Sequence, residues 1–377
     1  MVTETCSEFY QIKIHIGGGM RGFMKRIVSL LLVTVFCFAL MTGCAKENTN
    51  KENEQISPTP TLQENNDVTV IPTKEAESQS KKDITIAALK GPTAMGMVKV
   101  MKDAANGETA NNYNFVIAGT ADEITAKLVS GEIPIAAVPC NLASVLYNKT
   151  KGGIKVAGIN TLGVLYIIES GDTIKSVNDL KGKTIYSTGK GTTPEYTLNY
   201  LLSSAGIDPE KDVKVEYKSE ATEVAAILSE KENAVAMLPL PFVTTVMMQN
   251  ENVHIALDVT KEWEALSADE SSVVTGVIVV NSKFLEENKE AFNEFLDEYL
   301  NSVNYVNNNI EEAAQLVEEF GIVKAAVAKK AMPYCNITFV EGDVMKEKIA
   351  GYLKVLYDQA PNSVGGALPE DDFYYVK

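Results

Sequence analysis

Two short segments carry the same combination of polar residues where a strand-like run ends and a helix-like run begins. One reads "KGPT", at residues 90–93, and the other reads "KGTT", at residues 190–193. Backbone N–H groups in the first turn of a helix have no partner inside the helix and lie at the positive end of its dipole. Glycine lets a ligand approach the backbone, and threonine adds a hydroxyl donor. Both corners therefore predict a site for an anionic or acceptor-rich group.

The same residues also suit a purely structural role. Thr193 as the N-cap, with Pro194 at the first helical position, is a frequent signal for the start of a helix. Glu195 in the first turn would interact favourably with the helix dipole. Ligand binding and plain capping both remain open from the residues alone.

Other candidate binding residues follow other strand-like runs. Met95, Tyr196 and Phe242 would provide apolar walls or a stacking face, or would simply belong to the core, whereas an asparagine amide offers both a donor and an acceptor. Asn160 lies near the first predicted crossover between two halves of the fold. The full candidate set is Lys90, Gly91, Pro92, Thr93, Met95, Thr120, Cys140, Asn141, Thr161, Lys190, Gly191, Thr192, Thr193, Tyr196, Pro241, Phe242 and Thr275.

Charge and histidine content exclude several classes of function. The 377 residues include 34 Lys and Arg against 50 Asp and Glu, a formal net charge of −16, and no basic stripe is visible. Such a chain is repelled by nucleic acids. Only His15 and His254 are present, and His15 lies in a segment interpreted below as a leader. One remaining histidine makes a multi-histidine metal site or a Ser-His-Asp triad hard to build, and no cofactor is expected.

Alternating apolar runs predict the elements that position these residues. Short β-branched runs alternate with helix-like stretches from residue 83, which predicts an α/β fold with mostly parallel sheets. The predicted strands are 84–89, 113–118, 133–138, 154–159, 164–168, 184–187, 213–217, 234–237, 254–257 and 273–280. The predicted helices are 94–105, 121–130, 142–149, 194–205, 221–230, 241–249, 283–308, 310–320, 323–331 and 344–360.

Two halves of the folded part have parallel sequences. Each begins with a strand, a Lys-Gly-x-Thr corner and a helix. Each then continues through a helix that opens with acidic residues into an apolar strand and a proline, at 119–139 and 219–239. Two related halves could form one site, although βαβ units in general share this pattern.

The second half resembles a known family. The stretch "VNDLKGKTIYSTGKGTTPEYTLNYLLSSAGIDPEKDVKVEY" resembles the second lobe of substrate-binding proteins of ABC importers, of the aliphatic-sulfonate, nitrate and thiamine-precursor type. The residues from 277 to 309 look like the return strand and long helices of that family. The resemblance implies a two-lobed periplasmic-binding-protein type II fold with the ligand in a cleft between the lobes. It places residues 83–165 and 275–377 in the first lobe and 166–274 in the second.

The N-terminal segment resembles a bacterial lipoprotein signal. From Met24 it reads "MKRIVSLLLVTVFCFALMTGC", with a short basic region followed by an apolar region too short to span a bilayer comfortably. It ends at Cys44, the predicted lipidation site, and Met41 stands where the family prefers leucine. An uncleaved anchor is the alternative. Residues 1–43 are thus predicted to be leader and signal peptide, with translation starting at Met20 or Met24.

Residues 44–82 are predicted to form a disordered tether, because they are rich in polar residues and lack aromatic ones. A flexible coil of this length reaches roughly 35 Å. Of the cysteines beyond Cys44, Cys140 and Cys335 could form a disulfide outside the cytoplasm or remain buried free thiols.

These features predict an extracytoplasmic, lipid-anchored solute receptor that closes over a small anionic or heterocyclic ligand. Its expected partners are an ABC permease and its ATPase, and it is expected to be monomeric and not an enzyme. A surface lipoprotein that binds a macromolecule or acts as a sensor is the alternative. An enzyme on the same fold is a further one, and the pair Glu169 and Asp172 is interpreted as solvated.

Overall fold

A computed structural model of the chain describes residues 81–267 and 271–377. The predicted signal peptide, Cys44 and nearly all of the predicted tether lie outside the described residues. Among the described helices, none has both the length and the apolar character that crossing a bilayer requires.

Eleven strands are present in this part of the chain. They are β1 (Asp83–Leu89), β2 (Asn112–Ala118), β3 (Ile135–Pro139), β4 (Ile154–Leu162), β5 (Leu165–Glu169), β6 (Thr184–Ser187), β7 (Lys214–Tyr217), β8 (Val235–Pro239), β9 (His254–Asp258), β10 (Val274–Asn281) and β11 (Ile337–Val340). Ten of them coincide with predicted strands to within three residues at each end. The eleventh, β11, was not predicted, because four residues between two helical stretches give little pattern.

The strands form two sheets. The first has the order β11-β4-β10-β3-β1-β2, and the second has the order β7-β6-β8-β5-β9. The chain leaves the first sheet after β4, builds the second sheet from β5 to β9, and returns to the first as β10. Two connections therefore join the sheets, one at residues 163–164 and one between Asp258 and Val274.

The expectation of mostly parallel sheets is wrong, because both sheets are mixed. β1 is parallel to β2 and β3, and β6 is parallel to β7 and β8. In contrast, β10 is antiparallel to β3 and β4, β11 is antiparallel to β4, and β5 is antiparallel to β8 and β9. Alternation of strands and helices predicts parallel pairing only for strands joined by a crossover helix. β5 and β10 enter their sheets from the other sheet, so that pattern does not set their direction.

Thirteen α-helices accompany the sheets in the described residues. They are α1 (Pro92–Met95), α2 (Val98–Ala105), α3 (Asp122–Ser130), α4 (Cys140–Thr150), α5 (Thr193–Ser204), α6 (Ala221–Glu230), α7 (Phe242–Gln249), α8 (Val259–Leu266), α9 (Ser282–Glu287), α10 (Lys289–Asn308), α11 (Ile310–Glu319), α12 (Ala325–Ala331) and α13 (Gly342–Gln359). Short 3₁₀ helices lie at Val177–Leu180, Met332–Tyr334, Pro361–Val364 and Asp371–Phe373. The helix α8 was not predicted.

Two predicted helices are interrupted. The predicted helix 94–105 divides into α1 and α2 at Gly96 and Met97. Tyr299 of α10 packs there so closely that a Cβ at position 96 would lie 2.8 Å from its hydroxyl oxygen. The predicted helix 283–308 divides at Asn288, whose side-chain amide donates to the Phe284 carbonyl at 3.1 Å.

The core covers both faces of the sheets. Along β1, Ile84 and Ile86 pack into one apolar cluster, whereas Ala87, on the opposite face, packs into another. Successive strand residues point to opposite faces, so a strand buried on both sides must be apolar at every position. The residues of β3 from Ile135 to Val138 fit this rule, since all four are completely buried.

Candidate functional site

The first corner lies at the carboxyl end of β1, where the chain turns into α1. Thr93 is buried, its hydroxyl donates to the Leu89 carbonyl at 2.9 Å, and its own carbonyl accepts from the Asn160 side-chain amide at 3.0 Å. Gly91 has φ of 130°, which L side chains rarely adopt, and a Cβ there would meet no heavy atom within 4 Å. No acidic residue occupies the first turn of α1. The corner thus combines space beside the backbone with an absence of negative charge.

Buried polar atoms gather beside this corner. Asn160 and Thr161, consecutive residues of β4, are 1% and 0% exposed. Neither Asn160 Oδ1 nor Thr161 Oγ1 has a hydrogen-bond partner among the described residues. Burying such an atom without a partner costs about 1–3 kcal/mol. Two buried oxygens without a partner in the described chain are therefore candidates to contact a ligand or a bound water.

Gly276 of β10 completes the same cluster. A Cβ on this residue would lie 2.4 Å from Asn160 Oδ1 and 2.6 Å from Thr93 Cγ2. Only glycine at this position of β10 leaves room for Thr93 of α1 and Asn160 of β4 to come together. Sequence reasoning named Thr93 and Thr161 but missed Gly276, because a glycine inside an apolar strand has no distinctive local signal.

Tyr299 of α10 is a second group that sequence reasoning missed. Its hydroxyl is buried and has no hydrogen-bond partner of normal geometry in the described part of the chain. Burial raises the pKa of Tyr299, and the nearby Asn160 side chain opposes that rise. Tyr299 is therefore neutral at physiological pH and extends the polar cluster. It is more than 130 residues from Asn160, so no local pattern could have linked the two.

The second corner, at the carboxyl end of β6, is closed by its own side chains. The Gly191 N–H donates to Glu195 Oε2 at 2.5 Å, and the Tyr196 hydroxyl donates to the Gly191 carbonyl at 2.9 Å. The Thr192 hydroxyl donates to the Gly189 carbonyl at 2.5 Å. The capping interpretation thus describes the contacts seen here, and a carboxylate occupies the position that an anion would take.

The predicted N-cap at this corner is wrong by one residue. The helix α5 begins at Thr193, so Thr192 is the N-cap and its extended backbone marks the boundary. Thr192 makes no side-chain capping bond, because its hydroxyl is turned back to Gly189. Glu195, three residues into the helix, satisfies the loop N–H instead.

At two further strand-to-helix corners, those before α3 and α6, a glutamate carboxylate likewise accepts from a backbone N–H group of the loop. Glu123 Oε1 accepts from the Thr120 N–H at 2.8 Å and from the Thr120 hydroxyl at 3.0 Å. Glu223 Oε1 accepts from the Glu220 N–H at 3.2 Å. An anionic ligand at any of these corners would have to displace a carboxylate, which the first corner does not require.

Several other predicted residues have structural partners. Met95 is completely buried, with its sulfur 4.0 Å from Cys335 Sγ, and Cys140 is also buried. The Asn141 side-chain amide donates to the Ser363 carbonyl at 3.2 Å. Burial favours the core alternative for Met95, whereas binding roles for Cys140 and Asn141 stay predictions. Cys140 and Cys335 are free thiols, so the open question of a disulfide between them is answered in the negative.

The remaining predicted residues differ in exposure. Phe242, at the start of α7, is 46% exposed. The side chains of Lys90 and Lys190 are exposed and have no ion-pair partner in the described residues. Half-buried positions are occupied by Pro92, Tyr196, Pro241 and Thr275. Binding roles for these residues stay predictions.

One group of side chains has the composition of a metal site. Ligand atoms of Glu169, Asp172 and His254 lie within 4.8 Å of one another. Glu169, interpreted from sequence as solvated, is in fact completely buried at the end of β5. Its carboxylate oxygens accept from the N–H groups of Thr173 and Ile174 at 3.0 Å. These bonds account for its burial without a metal.

Comparison with solved structures identifies the fold. An ABC transporter structure from Parabacteroides distasonis is 23% identical, with a TM-score of 0.65, and the match covers 79% of this chain and all of that one. The periplasmic aliphatic sulphonate binding protein of Escherichia coli is 15% identical, with a TM-score of 0.60, covering 78% and 92%. The ligand binding component of an ABC-type import system from Staphylococcus aureus is 17% identical, with a TM-score of 0.55, covering 78% and 97%.

The chain has the periplasmic binding protein fold. The predicted resemblance to substrate-binding proteins of ABC importers is confirmed. A family model described as NMT1/THI5 like matches residues 154–313, from β4 into α11. That stretch of the periplasmic binding protein fold includes Asn160, Thr161, Gly276 and the second corner. A comparison with curated protein sequences finds no match.

Proposed function

We propose that the chain is the extracytoplasmic solute receptor of an ABC import system. The observation that carries this proposal is the pair of buried, unpartnered oxygens of Asn160 and Thr161 beside a corner free of acidic residues. They lie in a fold shared with proteins whose descriptions name ABC transporters and sulphonate binding. Buried polar groups that find no partner in the chain support binding of a molecule that supplies one.

In this proposal each sheet is the centre of one lobe. Residues 83–165 and 275–377 form the first lobe, residues 166–274 form the second, and the ligand binds between them. The two connections near Gly163 and Val274 act as the hinge. Asn160 and Thr161 are sealed from solvent in this structure, so ligand entry requires the lobes to move apart and then close, as hinged two-lobed receptors do.

Glutamate carboxylates already bind the loop N–H groups at three of the four corners, which supports a ligand with at most one anionic group. Glu195, Glu123 and Glu223 already occupy the loop N–H groups at three corners. The corner at Gly91 and Thr93 has no such competitor. We propose a small heterocyclic solute that presents an acceptor group to the first corner and neutral edges elsewhere, in preference to a nitrate-like anion. A thiamine-precursor-like molecule fits this description, and an alkanesulfonate with its anionic head at the first corner remains compatible.

The proposal includes no catalytic role. Burial raises the pKa of the Cys140 thiol and that of Cys335, which leaves both thiols protonated and unreactive. The His254 side chain, 43% exposed, has its Nε2 3.9 Å from a Glu169 oxygen that backbone groups already bind. No described nucleophile stands next to a free general base at the first corner.

Membrane attachment belongs to the same proposal and rests on the N-terminal sequence. Lipidation of Cys44 and a flexible tether would hold a monomeric receptor at the outer face of the cytoplasmic membrane. From there it would deliver its ligand to a permease and its ATPase.

A thermal-shift screen tests the receptor proposal. The protein is unfolded and refolded to remove bound ligand and then screened with alkanesulfonates, nitrate, thiamine, its pyrimidine precursors, riboflavin and amino acids. A ligand at one hundred times its Kd stabilises the fold by about 2.7 kcal/mol, which gives a readable rise in Tm. We expect a rise with one heterocyclic class. A macromolecular role would be favoured if no small molecule shifts Tm.

A further inference from the structure

A cavity lies beside α7, on the side that faces α12. Its volume is about 360 Å³. One wall comes from α7 and β9, and the other comes from α12 and the 3₁₀ helix that follows it. The lining residues that matter here are Met247, Met248, Ile255, Lys329, Lys330 and Tyr334.

The register of the second sheet separates this cavity from the proposed ligand site. Ile255 of β9 pairs with Ile168, which pairs on its other side with Ala236 near the start of β8. Pro241 follows the opposite end of β8, where the candidate corners lie. The cavity shares no lining residue with the candidate set. Its lining also includes Thr244, two residues after Phe242, and it lies between segments of the two proposed lobes.

The walls are apolar and suit an aromatic ring. Met248 is 42% exposed and Tyr334 is 43% exposed, so both side chains are accessible to a ligand. Tyr334 is held in place, because the Tyr166 hydroxyl donates to its carbonyl at 2.5 Å. Methionine sulfur atoms contact the edges of aromatic rings favourably, and two methionines face one tyrosine across this cavity.

The charge at the mouth of the cavity is positive. Lys329 is neutralised by Glu311, whose carboxylate oxygens lie 2.5 and 2.8 Å from its Nζ. Lys330 has no hydrogen-bond or ion-pair partner within residues 81–267 and 271–377. An ammonium group without a partner at the mouth of an apolar cavity complements an organic anion, and it stands out in a chain of net charge −16.

We propose that this cavity is a second binding site, for a small aromatic organic anion such as an aryl carboxylate. The ring lies between Met247, Met248 and Tyr334, and the carboxylate meets the Lys330 ammonium. This proposal uses different residues and a different ligand class from the proposed receptor site. Its two walls belong to different proposed lobes, so binding here also depends on how far those lobes are closed.

Isothermal titration of the full chain tests the proposal with 2-naphthoate and its neutral match, 2-naphthamide. Four variants are compared with the unaltered chain. Lys330→Gln removes the charge, and Lys149→Gln removes an exposed lysine in the last turn of α4 as its control. Met248→Asp places a carboxylate in the wall, and Met248→Leu keeps the wall apolar. Met248 is exposed, so both of its variants are expected to fold.

We expect 2-naphthoate to bind one-to-one. Met248→Asp should weaken its binding at least about tenfold, because the new side chain loses apolar contact and repels the carboxylate of the ligand. Met248→Leu should change the affinity little. Lys330→Gln should weaken 2-naphthoate about two- to fivefold, as for an exposed ion pair, without affecting 2-naphthamide. Lys149→Gln should change neither. The proposal is overturned if 2-naphthoate does not bind, or if Met248→Asp and Lys330→Gln leave its affinity unchanged. Equal binding of both probes to all variants would also overturn the anionic ligand class.

Discussion

At the residue scale, the hydroxyl of Thr161 is the group that most sharply separates a binding site from an ordinary core. It is completely buried and has no partner in the described chain, although a valine of similar shape would avoid the cost of burying it. A buried donor left unsatisfied in the free protein is expected to be retained for what it contacts in the complex.

The first prediction follows from that hydroxyl. Thr161→Val should raise the free energy of unfolding of the ligand-free protein by about 1 kcal/mol, because it removes an unsatisfied group. It should also weaken the ligand found by thermal shift by about two- to tenfold, the value of one neutral hydrogen bond. Chemical denaturation measures the first effect, and calorimetric titration measures the second.

Thr260→Val is the matched control. Thr260 Oγ1 is likewise buried without a partner, but it lies beside Gly163, at a connection between the sheets and outside the polar cluster of Thr93 and Asn160. Thr260→Val should gain similar stability and remove no direct ligand contact, so ligand affinity should change by less than about twofold. If both variants bind the ligand as tightly as the unaltered protein, Thr161 does not contact the ligand and the proposed site is wrong.

The second prediction concerns Glu195, whose carboxylate accepts from the Gly191 N–H. Glu195→Gln keeps an acceptor there but removes the negative charge. If the ligand presents a neutral edge to this corner, its affinity should change by less than about fivefold. Glu223→Gln, at a corner with the same capping contact, serves as the control. A tenfold or larger gain in affinity, seen only for Glu195→Gln, would mean that the ligand places an anion at the second corner.

At the element scale, β4 carries Asn160 and Thr161, and the C-terminal segment packs against it. Tyr374 forms a bridge to Val156 of β4, and Phe373 is completely buried. Asp372 accepts a hydrogen bond from the Tyr147 hydroxyl of α4, and Lys155 of β4 lies 3.3 Å from the same carboxylate. The C-terminal residues thus hold the last turns of α4 against the start of β4.

The third prediction is the pH dependence of this contact. The Tyr147 hydrogen bond and the Lys155 charge hold the pKa of Asp372 below its usual range. A lowered pKa means that the contact stabilises the fold fully above about pH 4, the pKa of an unfolded aspartate, and loses that effect as pH falls through the folded value. Asp372→Asn should therefore cost about 0.5–1 kcal/mol at neutral pH, allowing for solvent exposure, and progressively less below pH 4.

Asp371→Asn is the control for that experiment. Asp371 is 91% exposed, and its ion pair among the described residues is with Lys346 at 3.0 Å, so its replacement should change stability by less than about 0.5 kcal/mol at any pH. Urea unfolding across the acid range measures both variants. A cost for Asp372→Asn that does not fall with pH would contradict the assigned ionic contact.

The same elements show how far sequence reasoning reaches. Ten strands could be located because their β-branched runs are short and bounded by turn residues, as in "KTIYST" of β6. Their directions could not, because β5 and β10 enter their sheets from the other half of the fold. The break at Gly96 depends on Tyr299, which is some two hundred residues away.

The strand-to-helix corners of the candidate site could be predicted from the sequence, but the side-chain contacts within them could not. Strand-to-helix corners with glycine and threonine have a local signature, so Thr93 and Gly191 could be named. A corner can accept an anion only if no side chain of the chain already binds its N–H groups. Glu195 binds the Gly191 N–H, and its position in the sequence alone does not determine this contact. The cluster of Asn160, Gly276 and Tyr299 depends on packing between distant elements and has no local signature at all.

At the scale of the whole molecule, we propose that two sheets joined by two connections capture one small molecule between them. The first sheet supplies an acid-free corner with unsatisfied polar atoms, and the second supplies a corner closed by its own carboxylate. This asymmetry implies that the first sheet provides most of the polar contacts with the ligand.

The most direct test is to measure which small molecule the protein takes up. The refolded, ligand-free protein is equilibrated with the low-molecular-mass fraction of a bacterial cell extract, washed and denatured, and the released molecules are quantified by mass spectrometry. We predict one heterocyclic compound at a one-to-one ratio, reduced in Thr161→Val and retained in Thr260→Val. Release of no compound above the level seen with heat-denatured protein, or equal release from both variants, would contradict it.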